Sequence, residues 1–332
     1  MIRVALDAMG GDRAPRVVIE GAGWASEEID SHIVLVGKER IIKKFLNKTD
    51  YVKDKISIKH AEEVINMNDP AAASIRRKKD SSISIGIEML KKKEVDAFIS
   101  AGNTGAVVCA GALKLRTLPG IERPGIAIVL PTLQRPCLLI DVGANIDTTP
   151  RHLLHYGIMG LAYSKHIMGM HNPSVGLLNI GQEESKGTEL VKEARQLFEK
   201  TNLNFAGNVE ARDVYTGKTD VVVCDGFVGN IVLKITESFA ESTSTFLKRE
   251  LTKRLLPKIG AILSLPAYRA IRKKIDYSEY GGAPLLGIDG RIIIAHGGSN
   301  AKAIKNAVRV ATEYVKHKIN QHIVEDIEKI NG

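Results

Sequence analysis

The sequence predicts an α/β protein with three layers (α/β/α), in which helices cover both faces of a largely parallel sheet. Aliphatic runs that resemble strands alternate with helical periods over most of the 332 residues. Several runs, such as Val221-Val222-Val223, lack polar alternation, which is typical of strands buried on both faces. Glycine is plentiful at 30 residues and aromatic residues make up only 5%, a balance that suits many tight strand-to-helix turns.

The predicted elements follow one another without a linker or an internal repeat. Strands are predicted at residues 3–6, 33–36, 56–59, 97–100, 126–130, 137–141, 175–179, 204–206, 221–224 and 292–295. A helix is predicted from Asp69-Pro70, where Asp can cap and Pro can take the first helical position. Further helices are predicted after Asn103, Pro150, Gly187 and Gly229 and over residues 299–318. We expect one catalytic domain, residues 1–332, and leave open whether it is two-lobed.

One segment, residues 245–275, departs from this alternation. Pro257 and Pro266 each stand where a short amphipathic helix could begin, so we expect two such helices to protrude from the end of a long one. Nine basic residues and one acid lie between Thr245 and Lys274, within a chain whose net charge is +9. This concentration predicts contact with an anionic membrane surface or an acidic partner, although packing in the core or a dimer stays an alternative. The predicted contacts are Leu255, Lys258, Ile262, Leu263, Arg269, Arg272 and Lys273.

The rest of the composition indicates a cytoplasmic protein. The first twelve residues are not typical of a signal peptide because Asp7 interrupts their short apolar run. No stretch approaches the length of a spanning helix, so attachment to a membrane would be peripheral. The three cysteines, Cys109, Cys137 and Cys224, have no metal-binding spacing and fit a reducing compartment.

Polar, glycine-rich turns recur where predicted strands end. They occupy residues 7–12, 100–105, 141–145, 179–187, 225–230 and 296–300. In an open α/β sheet we expect such turns along one edge, where glycine lets backbone N–H groups approach a ligand and helix N-termini favour an anion such as phosphate. Neither a GxxxxGK[ST] nor a GxGxxG string is present, so the usual nucleotide fingerprints are lacking.

These turns closely resemble the bacterial phosphate acyltransferases called PlsX, the fatty acid and phospholipid synthesis proteins. The resemblance covers essentially the whole chain and lies in the strings ALDAMGGD, SAGNTGA, DVGAN, NIGQEESKG, DGFVGN and GGAPLLG. It implies transfer of an acyl group from acyl carrier protein to inorganic phosphate, without a metal, a cofactor or a covalent intermediate. It also implies a homodimer at the inner face of the cell membrane and a fold like that of phosphotransacetylases and isocitrate or isopropylmalate dehydrogenases. A downstream glycerol-3-phosphate acyltransferase is a further candidate partner.

Such a reaction needs a held phosphate and donors for the developing oxyanion, since the thiolate is already a good leaving group. Lys186, as the lysine within these turns, and Asn230, as a donor near a helix start, are the first catalytic candidates. His296 is a third, as general base or acid, although a structural role is the more common one for such a histidine. Candidates for binding phosphate or substrate are Ser100, Asn103, Thr104, Asn145, Asp225, Gly226, Gly229 and Ser299. Structural roles, such as helix caps, stay open for several of them.

Four other functions compete with this hypothesis. A phosphate acetyl- or butyryltransferase that uses coenzyme A would share the chemistry but would not need the basic amphipathic segment. A non-catalytic lipid-binding protein would leave the glycine-rich turns unexplained. Nucleic acid binding is disfavoured because no aromatic platform accompanies the basic residues. A dehydrogenase of the related fold would need a dinucleotide fingerprint or metal-binding carboxylates, and neither is found in the sequence.

Overall fold

Eleven strands form a single mixed sheet in the computed structural model of the protein. The structure describes residues 1–275 and 277–331, and within them not the side chains of 272–275, 277 and 331. The predicted contacts Arg272 and Lys273 therefore lie outside the described side chains. The strands are β1 Ile2–Asp7, β2 Ser31–Gly37, β3 Ile56–His60, β4 Ala97–Ser100, β5 Gly125–Leu130, β6 Cys137–Ile140, β7 Val175–Asn179, β8 Phe205–Glu210, β9 Val221–Val223, β10 Ala283–Leu286 and β11 Ile292–Ile294.

Twelve α-helices accompany the sheet within the described residues. They are α1 Arg16–Glu28, α2 Glu39–Leu46, α3 Ala71–Arg77, α4 Ser82–Lys91, α5 Thr104–Leu115, α6 Pro150–His166, α7 Glu189–Glu199, α8 Gly226–Thr252, α9 Leu255–Leu263, α10 Leu265–Ile275, α11 Ala301–Lys316 and α12 Ile319–Asn331. The predicted helix over 299–318 corresponds to α11, and those after Asn103, Pro150 and Gly187 correspond to α5, α6 and α7.

Alternating side chains of the strands supply two cores, one on each face of the sheet. Val4 and Leu6 of β1 belong to the core covered by α1, α2, α6, α7, α11 and α12, whereas Ala5 faces the core beneath α3, α4 and α5. Helices therefore cover both faces, and the predicted three-layer α/β/α architecture is confirmed.

The strand order is β3-β2-β1-β4-β11-β10-β5-β6-β9-β7-β8. The first five strands are mutually parallel, and so are β6, β9, β7 and β8. Because β10 and β5 pair antiparallel with their neighbours, the second group of strands (β6, β9, β7 and β8) runs opposite to the first five. The expectation that all the glycine-rich turns share one edge of the sheet is therefore wrong, and they form two groups.

Sheet twist compensates for much of this reversal. Six neighbour steps separate β1 from β9, and at about 20–25° for each step the twist accumulates to roughly 120–150°. A strand that is nominally antiparallel then points to within about 30–60° of its counterpart. We therefore expect the carboxyl ends of both groups to face the same side of the molecule.

The segment 245–275 forms the two predicted short helices, α9 and α10, beyond the end of α8. No residue of α9 is buried, and within α8 only Gly226 and Gly229 are buried. These helices hence extend away from both cores. Within the described residues, no helix is both long and apolar enough to cross a bilayer.

Candidate active site

The first group of turns, at the carboxyl ends of β1, β4 and β11, is organised by a buried carboxylate. Asp7 accepts hydrogen bonds from Ser100 Oγ at 2.7 Å and from the N–H of Met9 at 3.0 Å. Burial raises the pKa of the Asp7 carboxyl, and these hydrogen bonds oppose the rise. Ser100, predicted to bind phosphate, is fully buried and uses its hydroxyl inside the protein.

Asn103 closes the turn before α5. Its Oδ1 accepts from Ala106 N–H at 2.9 Å, and its Nδ2 donates to the carbonyls of Asn66, Met67 and Asp69. The side chain is therefore a helix cap and a tie to the chain before α3, rather than a free ligand. Thr104, which begins α5, is half-buried, and Gly105 is exposed. At the start of this helix, unlike Asn103, they remain accessible to an anion.

The turn after β11 meets the same group. Gly297 O accepts from Asp12 N–H at 2.9 Å, and His296 Nδ1 accepts from Gly298 N–H at 3.0 Å. In its neutral form His296 then carries its proton on Nε2, the other ring nitrogen. Ser299, a predicted phosphate ligand, is buried.

The second group of turns follows β6 and β9 and contains another buried carboxylate. Asp141 accepts from four backbone N–H groups, those of Ile126, Gly143, Ala144 and Asn145, at 2.8–3.0 Å. Burial raises the pKa of Asp141, and these donors oppose the rise. The predicted ligand Asn145 donates from Nδ2 to Pro124 O at 2.5 Å, and it also bonds Tyr156. The side chain of Asn145 is thus bonded within the protein.

The start of α8 packs directly onto this turn. Asp225 caps the helix by accepting from the N–H groups of Phe227 and Val228, so its predicted ligand role is a capping role in the structure. A Cβ on Gly226 would lie 2.4 Å from Asn145 O, and one on Gly229 would overlap Asp141 O. These two glycines are therefore required by close backbone approach.

Asn230 is exposed on the first turns of α8, and its side chain lies close to Gly143. Because α8 begins at Gly226 and Asp225 caps it, Asn230 is not the cap of this helix. Its carboxamide is accessible from solvent and next to a backbone turn that a substrate can approach.

Lys186 lies in the exposed loop between β7 and α7, in the second group. Its carbonyl accepts from Asn179 Nδ2 at 3.1 Å, and its N–H donates to Glu183 O at 3.1 Å, so the backbone of the loop is fixed. No described hydrogen bond or ion pair engages its ammonium group.

Helix α8 connects the two groups. It begins in the second group, and eleven residues further along the helix, about 16 Å, Glu237 Oε1 lies 3.8 Å from His296 Nε2 of the first group. Of the predicted catalytic residues, Asn230 thus lies at the start of this span and His296 beside Glu237, whereas the described contacts of Lys186 are with its own loop.

Three residues of this region were missed by sequence reasoning. Arg13 donates to the carbonyls of Gly298 and Ser299 and so fixes the turn after His296. Glu237 lies within a predicted helix, and nothing in the sequence marks it as a neighbour of His296. Tyr156 bonds Asn145 from a buried position in α6. Only Arg13, within a few residues of the first glycine-rich turn, gave a signal that could have been used.

Cys224 precedes Asp225 but is unsuited to nucleophilic attack. The thiol is buried, its Sγ lies 3.4 Å from Asp141 O, and burial next to Asp141 raises its pKa well above the ordinary value. A buried thiol of this kind is inert.

Solved structures with the same architecture define the class of fold. A phosphotransacetylase from Streptococcus pyogenes has a TM-score of 0.67 at 16% identity and covers 95% of this chain and 94% of its own. The EutD phosphotransacetylase from Staphylococcus aureus has a TM-score of 0.62 at 16% identity, with the same coverage. A 4-hydroxythreonine-4-phosphate dehydrogenase from Klebsiella pneumoniae has a TM-score of 0.52 at 15% identity, covering 95% and 98%. The fold is thus that of phosphotransacetylases and related dehydrogenases.

Sequence comparison then gives the family. The model of the fatty acid synthesis protein family matches residues 2–322. A phosphate acyltransferase from Geotalea daltonii is 51% identical over 328 residues, which is 99% of this chain and 95% of that protein. One from Alkaliphilus oremlandii is 48% identical over 329 residues, 99% and 98% of the two chains. The chain belongs to the fatty acid synthesis protein family and is an acyltransferase, so the resemblance found in its motifs is confirmed.

Proposed function

We propose that this protein transfers a fatty acyl group from acyl carrier protein to inorganic phosphate and releases acyl-phosphate and the free carrier. A phosphate oxygen attacks the thioester carbonyl, the tetrahedral intermediate collapses, and the thiolate of the carrier leaves. The relatives named phosphate acyltransferase support the acceptor and the reaction class. The acyl carrier, the long acyl chain and the phospholipid pathway belong to the proposal.

The start of α5 supports the phosphate site. Asn103 caps this helix through Ala106 N–H, and the N–H groups of Thr104 and Gly105 have no described acceptor. Free N–H groups at the first turn of a helix, together with the helix dipole, favour an anion. The Thr104 hydroxyl is next to them, and the adjacent turn contributes His296. This uncapped pair of N–H groups is the observation that carries the proposal.

The second group of turns supports stabilisation of the oxyanion. Lys186 and Asn230 are exposed and offer donors in the second group of turns. Donors aimed at a developing negative charge are usually the largest contribution to such catalysis. The backbone N–H groups of 143–145, in contrast, already bond Asp141. In this proposal the side chains, not that backbone, contact the reacting carbonyl.

Exposed apolar residues support a lipid substrate and a membrane-facing position. Phe227, Ile231, Ile235 and Phe239 form a stripe on α8 that starts at the site, and α9 continues it with exposed leucine and isoleucine residues. An acetyltransferase of water-soluble substrates would gain nothing from such a surface. We propose a homodimer that uses part of this stripe and a peripheral location at the inner face of the cell membrane. A downstream glycerol-3-phosphate acyltransferase would then receive acyl-phosphate there.

The test is to incubate purified protein with palmitoyl-ACP and phosphate and to follow free carrier by gel shift and acyl-phosphate by mass spectrometry. Both products should form in equal amounts and only when phosphate is present. Acetyl-CoA and palmitoyl-CoA serve as alternative donors. Faster turnover of acetyl-CoA than of palmitoyl-ACP would instead identify a short-chain phosphate acyltransferase.

A further inference from the structure

A second basic surface lies at the end of α3. The run Arg76-Arg77-Lys78-Lys79 ends α3 and enters the following turn. Arg76, Arg77 and Lys79 are exposed, and the described ion pairs leave all three without a carboxylate. Lys78, in contrast, points inward to Asp69 at 2.7 Å. These three side chains, which have no described carboxylate partner, are therefore available for ion pairs with an acidic partner.

A groove of about 550 Å³ lies beside these cations. Arg76 and Lys79 form one rim, and Lys114 of α5 forms the other, while Ile75 and Ile85 line the floor. One acid, Glu88, faces the same groove and lies 3.9 Å from Lys114. An apolar floor between cationic rims matches an amphipathic helix with acidic flanks.

The groove is close to the phosphate site. Asn103 ties the chain before α3 to the start of α5, and a Cβ on Gly105 would lie 3.2 Å from Ala71 Cβ at the start of α3. Arg77, at the other end of α3, is six residues away, about 9 Å along the helix. A carrier protein presents its thioester on a flexible arm, so its docking surface must lie near the reaction centre but not within it.

We propose that the groove between α3 and α5, with Arg76, Arg77, Lys79 and Lys114, is the docking surface for the acidic carrier protein that delivers the acyl group. This inference rests on the proposed function, and it adds the place where the donor binds. A larger groove of about 650 Å³ between α1 and α11 is a weaker candidate. Its cations Arg16 and Lys302 are already paired with Glu20 and Glu279.

The test is the triple variant Arg76→Glu, Arg77→Glu, Lys79→Glu. Charge reversal at three rim positions should raise the KM for palmitoyl-ACP and the Kd for the unacylated carrier by about 10-fold to 100-fold, with kcat little changed. Added salt should raise the KM of the unaltered protein and leave that of the variant nearly constant. Turnover of palmitoyl-CoA, which needs no carrier surface, should stay unchanged and report that the variant is folded.

The matched control is Lys44→Glu, Lys48→Glu, Lys53→Glu, which makes the same change of net charge at exposed lysines, one within α2 and two between α2 and β3. It should bind the carrier like the unaltered protein. Equal Kd values for the carrier in both triple variants would overturn the docking surface. So would a variant with glutamate at 76, 77 and 79 that still binds the carrier but no longer sediments with liposomes. If the unaltered protein binds the carrier but does not turn over its palmitoyl thioester, the proposed function fails and the docking surface does not.

Discussion

Two aspartates illustrate how single residues shape this site. Asp7 ends β1 and Asp141 follows β6, two strands of the opposed groups. Each accepts hydrogen bonds from the backbone of the turn after it. The hydrogen-bond capacity of each carboxylate is largely used within its own turn. The proposed chemistry therefore relies on other donors, among them Lys186, the one lysine in the sequence of the glycine-rich turns.

Replacing Lys186 by alanine should lower kcat/KM by about 10²–10³, the usual effect of one preorganised donor. The side chain is exposed, so the free energy of unfolding should stay the same. Steady-state kinetics with palmitoyl-ACP and a denaturant titration would measure both quantities. Lys200→Ala, at an exposed lysine just after α7, is the matched control. Normal turnover by folded Lys186→Ala would remove this lysine from the site.

Replacing Gly229 by alanine should destabilise the fold by about 3 kcal/mol or more, because the new methyl group overlaps Asp141 O and neither backbone can move away cheaply. Gly260→Ala is the control, since nothing lies within 4 Å of that position on α9. Alanine there should stabilise the helix by about 0.5–1 kcal/mol. Urea titrations compare the two. Equal midpoints would show that the contact between α8 and the Asp141 turn is not tight.

At the scale of elements, α8 joins the candidate active site to the exposed helices α9 and α10. Its first turn is fixed by Asp225 and by the close approach of Gly229, whereas its remaining length is largely exposed. Leu255, Leu256, Ile262 and Leu263 of α9 are 70–81% exposed, so neither core accounts for them. Exposed leucine and isoleucine beside several lysines and arginines are typical of helices that lie on an anionic bilayer.

Changing Ile262 and Leu263 to Asp should weaken liposome binding by about 10²-fold or more, because two largely exposed aliphatic side chains lose burial in the bilayer. Oligomer mass and activity on soluble substrate should stay unchanged. The control is Leu133→Asp with Gln134→Asp, which adds the same charge at an exposed loop elsewhere.

Liposome sedimentation, light scattering and turnover report these three properties, with and without acyl carrier protein as a competitor. A variant that becomes monomeric or aggregates would show that the stripe packs inside the dimer. Sedimentation that is unchanged and insensitive to salt would place the membrane contact elsewhere.

At the scale of the whole molecule, the hydrophobic periodicity of the sequence predicted the three-layer architecture but not the order and direction of all the strands. The ten predicted strands all exist, β4 and β7 with the predicted ends and the others with shifted ends, since aliphatic runs such as Val221-Val222-Val223 are unambiguous. β10 was missed because glycines flank it and Pro284 interrupts it, features that otherwise indicate a turn. The two antiparallel strands β5 and β10 reverse the second group, and no local pattern encodes that pairing. Likewise, contacts such as His296 with Glu237 depend on packing between distant segments.

The complete enzyme should be active without a divalent metal or a nucleotide. Phosphate is already an anionic nucleophile and the thiolate leaves readily, so the reaction needs positioning and charge stabilisation rather than a Lewis acid. The carboxylates Asp7 and Asp141, which the sequence places in the glycine-rich turns, are occupied by N–H and O–H donors and are not poised to bind a cation. Turnover of palmitoyl-ACP with phosphate after dialysis against EDTA should therefore equal that before dialysis. A loss of turnover that Mg²⁺ or Mn²⁺ restores would mean that a bound cation takes part in the reaction.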